Sequence, residues 1–125
     1  MSLARYTAVQ NAASPREIEL RAFRYVNGML AAAGNAAGRA TALGKTHQLW
    51  SLLLADLMLP GNALPGELKG RIVSLGLWAQ REAAARLDDG ASLAPLMELH
   101  RDMIEGLEAQ AGLGYGAPSF IAGAA

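Results

Sequence analysis

Cysteine is absent from the 125 residues, which excludes disulfides, thiol nucleophiles and sulfur-ligated metal sites and fits a reducing cytosol. Aromatic residues are scarce at 6%. Neither sign of charge is in excess, with 11 Lys/Arg against 11 Asp/Glu; a dedicated nucleic-acid binder carries a basic surplus that this chain lacks. Its charges are nevertheless uneven. Residues 1–50 hold six Lys/Arg against Glu17 and Glu19, a net +4, which leaves five against nine, a net −4, over residues 51–125. Long hydrophobic runs are also missing. The most apolar one, "LWSLLLADLMLP" (49–60), contains Asp56 and falls short of the roughly 20 residues that span a bilayer. The opening "MSLARYTAVQNAASP" has no apolar core of a secretory signal. No alternation of β-branched residues suggests a sheet, and no repeat is visible.

What is present is 52% hydrophobic and 18% charged residues, a composition that folds as one domain. Leu, Ala, Arg and Glu dominate, and Gly/Pro clusters punctuate them. The expectation is an all-α, small single-domain helical bundle of about four main helices. It divides into an N-terminal arm (1–13), the bundle (14–110) and a Gly/Ala-rich tail (111–125), expected to be flexible. Within that tail Tyr115, Phe120 and Ile121 are candidates to fold back onto an exposed groove.

Ser14-Pro15-Arg16-Glu17 reads as an N-cap, a proline at the first helical position and a capping-box Glu. Ile18, Ala22, Val26, Met29 and Ala33 are the expected core stripe of this first helix, widened by Phe23 and Leu30. A turn near Gly34-Asn35 leads to a second helix whose start the small residues of 31–45 leave open. That helix is expected to end at Leu59, before Pro60-Gly61, with Leu43, His47, Trp50, Leu54 and Leu57 as its seam. Leu49, Leu52 and Leu59 fall on other sides, so the helix is central or covered by a partner. The third helix starts at Pro65 with Leu68, Ile72, Leu75, Ala79 and Ala83 inward. Gly76 beside that stripe suggests the close approach of another helix, since glycine costs about 1 kcal/mol against alanine here. Val73, Leu77 and Ala84 form a second stripe, and Trp78 sits opposite the first, near Arg71. Trp78 is therefore either an anchor for a partner or core under the second helix. The fourth helix starts at Leu93-Ala94-Pro95, with Leu96, Leu99, Met103 and Leu107 inward.

Catalytic and ligand-binding patterns are thin. Gly38 to Thr46 resembles a phosphate-binding loop, but it has five residues between its glycines where that motif has four, and no strand precedes it. His47 and His100, the two histidines, lack metal-ligand spacing with any carboxylate. Glu17/Glu19 and Asp88/Asp89 point in different directions and make no catalytic dyad. No enzyme activity, cofactor or metal is expected.

The chain resembles the FlaF family of flagellar biosynthesis proteins. The resemblance rests on "SPREIE" (14–19), "LW" (49–50), "NALPGELKGRIVSLGLW" (62–78) and "APLMELHRDMIEGL" (94–107), and it covers roughly residues 6–108. Family members often carry Asn shortly before the Leu-Trp pair and again in helix four, where this chain has Thr46 and His100. The resemblance implies a cytoplasmic, non-enzymatic protein that binds flagellin, aids its export and couples flagellin synthesis to assembly, with FlbT as a further partner. Excess apolar helix surface suits a helix-in-groove contact. The candidate partner-binding residues are Leu77, Trp78, Arg71, Val73, Leu49, Leu52, Asn62 and Leu64. The alternatives are contact with flagellin mRNA through the basic N-terminal half, and a homodimer that covers the extra stripe with itself.

Overall fold

A computed structural model describes residues 14–113, with side-chain surroundings to residue 109. Among them run four helices: α1 (Pro15–Ala32), α2 (Ala36–Leu57), α3 (Gly66–Leu87) and α4 (Ala94–Leu113). The architecture is a small all-α bundle, as the composition implied. The arm (1–13) and the tail from 114 onward, with Tyr115, Phe120 and Ile121, lie outside the described residues. Helix α4 itself runs past residue 110 to Leu113.

Local chemistry sets the helix ends. Ser14 is extended (φ −64°, ψ 160°), and its Oγ accepts from the Glu17 amide at 3.2 Å, so one otherwise unpaired amide of the first turn has a partner. Asn35 does the same for α2: its Oδ1 accepts from the Gly38 amide at 2.7 Å. That cap places the start of α2 at Ala36, the boundary that small side chains alone left undetermined. At its other end α2 stops at Leu57, not Leu59. Met58 and Leu59 donate their amides to the carbonyls of the last turn, Leu59 to Asp56 at 3.1 Å, and the chain turns before Pro60. In the following loop the Asn62 Oδ1 accepts from the Leu64 amide at 3.1 Å, and the Asn62 carbonyl accepts from Lys69 Nζ at 2.9 Å.

Helix α2 packs most extensively on α3, and α1 on α4; α1 also meets α2, while α3 and α4 barely touch. Phe23, Trp50 and His100, from α1, α2 and α4, are all fully buried and join the two halves. Phe23 meets the Trp50 ring edge-on at 5.6 Å and the His100 ring at 5.4 Å, while Trp50 and His100 stack at 6.2 Å.

The expected stripe of each of the four helices is corrected in part by this packing. In α1 the buried residues are Leu20, Phe23, Val26 and Leu30, whereas Ile18 is exposed and Ala22 and Met29 are half-buried. The inner face of α1 serves α4 as well as α2: Asn27 Nδ2 donates to the Met97 carbonyl, and Arg24 pairs with Glu108. In α2, Leu43, Trp50 and Leu57 are buried as expected, but His47 is exposed and Leu54 half-buried, and Ala42, Thr46, Leu49 and Leu53 complete the inner face. Helix α2 lies between α1 and α3, so its buried surface is wider than one seam. In α3, Ile72, Ala79 and Ala83 are buried, Leu68 is half-buried, and Gly76 takes the place expected of Leu75. A Cβ at Gly76 would stand 2.8 Å from Leu54 Cδ2 and 3.0 Å from Trp50 Cε3. The helix-propensity cost of glycine is offset by this close approach of α2 to α3. In α4, His100 is buried where Leu99 was expected, and Leu99 is half-buried.

Arg39, in the first turn of α2, closes the far end of α3. Its guanidinium donates to the carbonyls of Arg86 (3.3 Å), Asp89 (3.2 Å) and Ala91 (2.6 Å). Carbonyls past a helix C-terminus lack intrahelical partners, and a cation there also favours the helix dipole. Arg39→Ala is expected to cost about 1–2 kcal/mol in urea denaturation. Arg39→Lys is expected to recover little of that, because an ammonium cannot match a planar fork that reaches three carbonyls. Wild-type stability in both variants would refute the capping role.

Candidate interaction surface

Among the described residues, exposed apolar surface includes a flank of α3 and a groove between α1 and α2. The first lies on α3. Trp78 is 37% and Leu75 40% exposed; at about 100° per residue they share one flank of the helix. Gly76 and Gln80 lie on the other side and face α2, Gln80 Nε2 donating to Ser51 Oγ at 2.7 Å. The Trp78 flank therefore turns away from α2, toward the sparsely packed α3–α4 side. Leu75 was assigned to the core from its spacing; the signal against it was the adjacent glycine, which marks where another helix comes closest.

The second surface is a groove between α1 and α2. It encloses ≈ 340 Å³ and is lined by Pro15, Ile18, Glu19, Ala22, Leu49, Leu52, Leu53 and Asp56. Leu52 is 65% and Ile18 46% exposed. Ile18 and Ala22, expected in the core stripe, are the α1 wall of this groove.

The candidate contact residues fall into four places. Trp78 and Arg71 share the outward α3 flank, and Arg71 is ion-paired with Glu67 at 3.1 Å. Leu77 is 45% exposed, and the half-buried Val73 packs against the core; both lie on the opposite flank of α3. Leu52 and the buried Leu49 belong to the α1–α2 groove. Leu64 is buried in the core, and the half-buried Asn62 is occupied in ordering the α2–α3 loop.

The buried polar side chains among the described residues are Thr46 and His100. Thr46 Oγ1 donates to the Ala42 carbonyl at 2.9 Å. His100 Nε2 accepts from Trp50 Nε1–H at 3.0 Å, so the neutral ring carries its proton on Nδ1, which finds no partner. Burial pushes the His100 pKa down from 6.5 to about 4, because the cation would lose its hydration. His47 is exposed, with Nδ1 3.5 Å from Ser51 Oγ. Among the described residues no group of three or more His, Cys, Asp or Glu side chains could hold a metal, and no helix is long and apolar enough to cross a membrane. The stretch from Gly38 to Thr46 lies wholly within α2. Its amides therefore serve the helix and its Asn35 cap, not a phosphate cradle.

Fold and surface together define a small helical bundle with apolar side chains left outside its core. The family model described as "Flagellar protein FlaF" matches residues 2–107, and the chain belongs to that family. No curated protein and no solved structure matches it.

Proposed function

We propose that this flagellar protein acts in the cytoplasm without catalysis, binding flagellin through exposed apolar helix surface centred on Trp78. By holding flagellin it would aid export and couple flagellin synthesis to filament assembly, with FlbT as a further partner. The observation that carries this reading is the outward Leu75–Trp78 flank of α3, with Arg71 beside it. A large aromatic next to an arginine is a common composition for an interface anchor. The terminal regions of flagellin are long amphipathic helices, and an apolar flank at the α3–α4 side offers such a helix a place to lie.

Pull-down with full-length flagellin, and with flagellin lacking either terminus, tests the partner and the segment. Trp78→Ala is expected to weaken flagellin binding more than tenfold, about 2 kcal/mol, while leaving the melting temperature unchanged. A stable Trp78→Ala protein that still binds flagellin normally would remove Trp78 from the interface. Apolar helix binding should also hold as salt is raised, whereas contact with mRNA would weaken steeply.

A further inference from the structure

The α1–α2 groove is distinct from the α3 flank, and the proposal for it stands independently of flagellin binding. Its walls expose Ile18 and Leu52, two large aliphatic side chains that water covers at a cost. Its rim carries two carboxylates, Glu19 and Asp56. Its first lining residue is Pro15, so the chain enters α1 at the edge of the groove.

Thirteen residues precede Ser14, and their sequence complements the groove. In "MSLARYTAVQNAA", Leu3, Tyr6 and Val9 recur at three-residue spacing, and the one charged side chain is Arg5. The wall from Pro15 to Ala22 is about 10 Å long, at 1.5 Å per helical residue; an arm of this length reaches all of it even as a helix. The family model matches from residue 2 and ends at residue 107. The arm thus belongs to the matched part of the chain, and the Gly/Ala tail does not. Tethering supplies the affinity: a segment joined directly to its site acts at an effective concentration of the order of millimolar. Even a weak apolar contact would then keep the groove covered.

We propose that the chain's own N-terminal arm occupies the α1–α2 groove, laying Leu3, Tyr6 and Val9 against Ile18 and Leu52 with Arg5 toward Glu19 and Asp56. The cysteine-free sequence allows a clean test in the full-length chain. Val9→Cys is combined with Leu52→Cys in the groove, or with Arg21→Cys on the exposed side of α1. In dilute protein under mild oxidation, the Val9→Cys/Leu52→Cys pair should close within one chain at least tenfold faster than the Val9→Cys/Arg21→Cys pair. Adding Leu3→Asp and Tyr6→Asp should abolish that advantage. Equal rates for the two pairs would overturn the proposal. So would a disulfide that forms only between chains, since a second copy would then fill the groove, or a rate advantage that survives the two Asp substitutions.

Discussion

Replacing Trp50 by alanine is expected to lower the unfolding free energy by about 3–5 kcal/mol, the usual cost of deleting a buried aromatic. That is a large part of the roughly 5–15 kcal/mol that holds such a domain together. Trp50 is fully buried and touches three helices: the Phe23 ring from α1, the His100 ring from α4, and the backbone of α3 at Gly76. On the α3 side the residue facing it is a glycine, which has no side chain to fill the space. The indole also supplies the N–H that His100 Nε2 accepts. Trp50→Phe separates the two contributions: it keeps a ring but leaves Nε2 without its donor, an expected cost of about 1–3 kcal/mol beyond the packing loss. Urea denaturation followed by far-UV circular dichroism reads both variants. A Trp50→Ala protein with a wild-type midpoint would mean that these three helices do not meet at Trp50.

Acidification should destabilise the bundle through His100. The group has a folded pKa of about 4 against 6.5 for the free side chain. Between those values the unfolded chain binds the proton and the folded chain does not, so protons favour unfolding. Stability contributed by the neutral ring is complete above pH 6.5, falls as pH drops through the window from 6.5 to 4, and is lost below it. The shift corresponds to roughly 3 kcal/mol at the acid end. Acidification also acts on groups other than His100. The measurement is therefore the difference between wild type and His100→Asn. Asparagine does not titrate, and its amide oxygen can accept from Trp50. Stability plotted against pH from 6.5 to 4 should be flatter in His100→Asn than in wild type. Parallel curves would refute a buried, neutral His100.

The family and the helical architecture were legible in the amino-acid order, and so were most of the helix ends. Ser14 with Glu17, the turn near Gly34-Asn35 and Pro65 act within a few residues of themselves, and a cap depends on little else. Which face of each helix turned inward was legible only in part. Helix α1 carries two apolar flanks that differ by a fraction of a turn, Ile18–Ala22–Met29 and Leu20–Phe23–Leu30. Periodicity rates both as buried. The choice between them came from α4, against which α1 packs more extensively than against α2, and it leaves Ile18 to the groove. The same holds at Leu75 and Gly76, where the distance between α2 and α3 is set by the fully buried Trp50 ring. His100 was visible only as a histidine near a core stripe; its tautomer is set by a tryptophan 50 residues away, and its low pKa by burial among the helices. A helix's own sequence determines that it has an apolar face. Which of two nearly equal faces becomes core is decided by whichever neighbour excludes water from it, and that neighbour is distant in the chain.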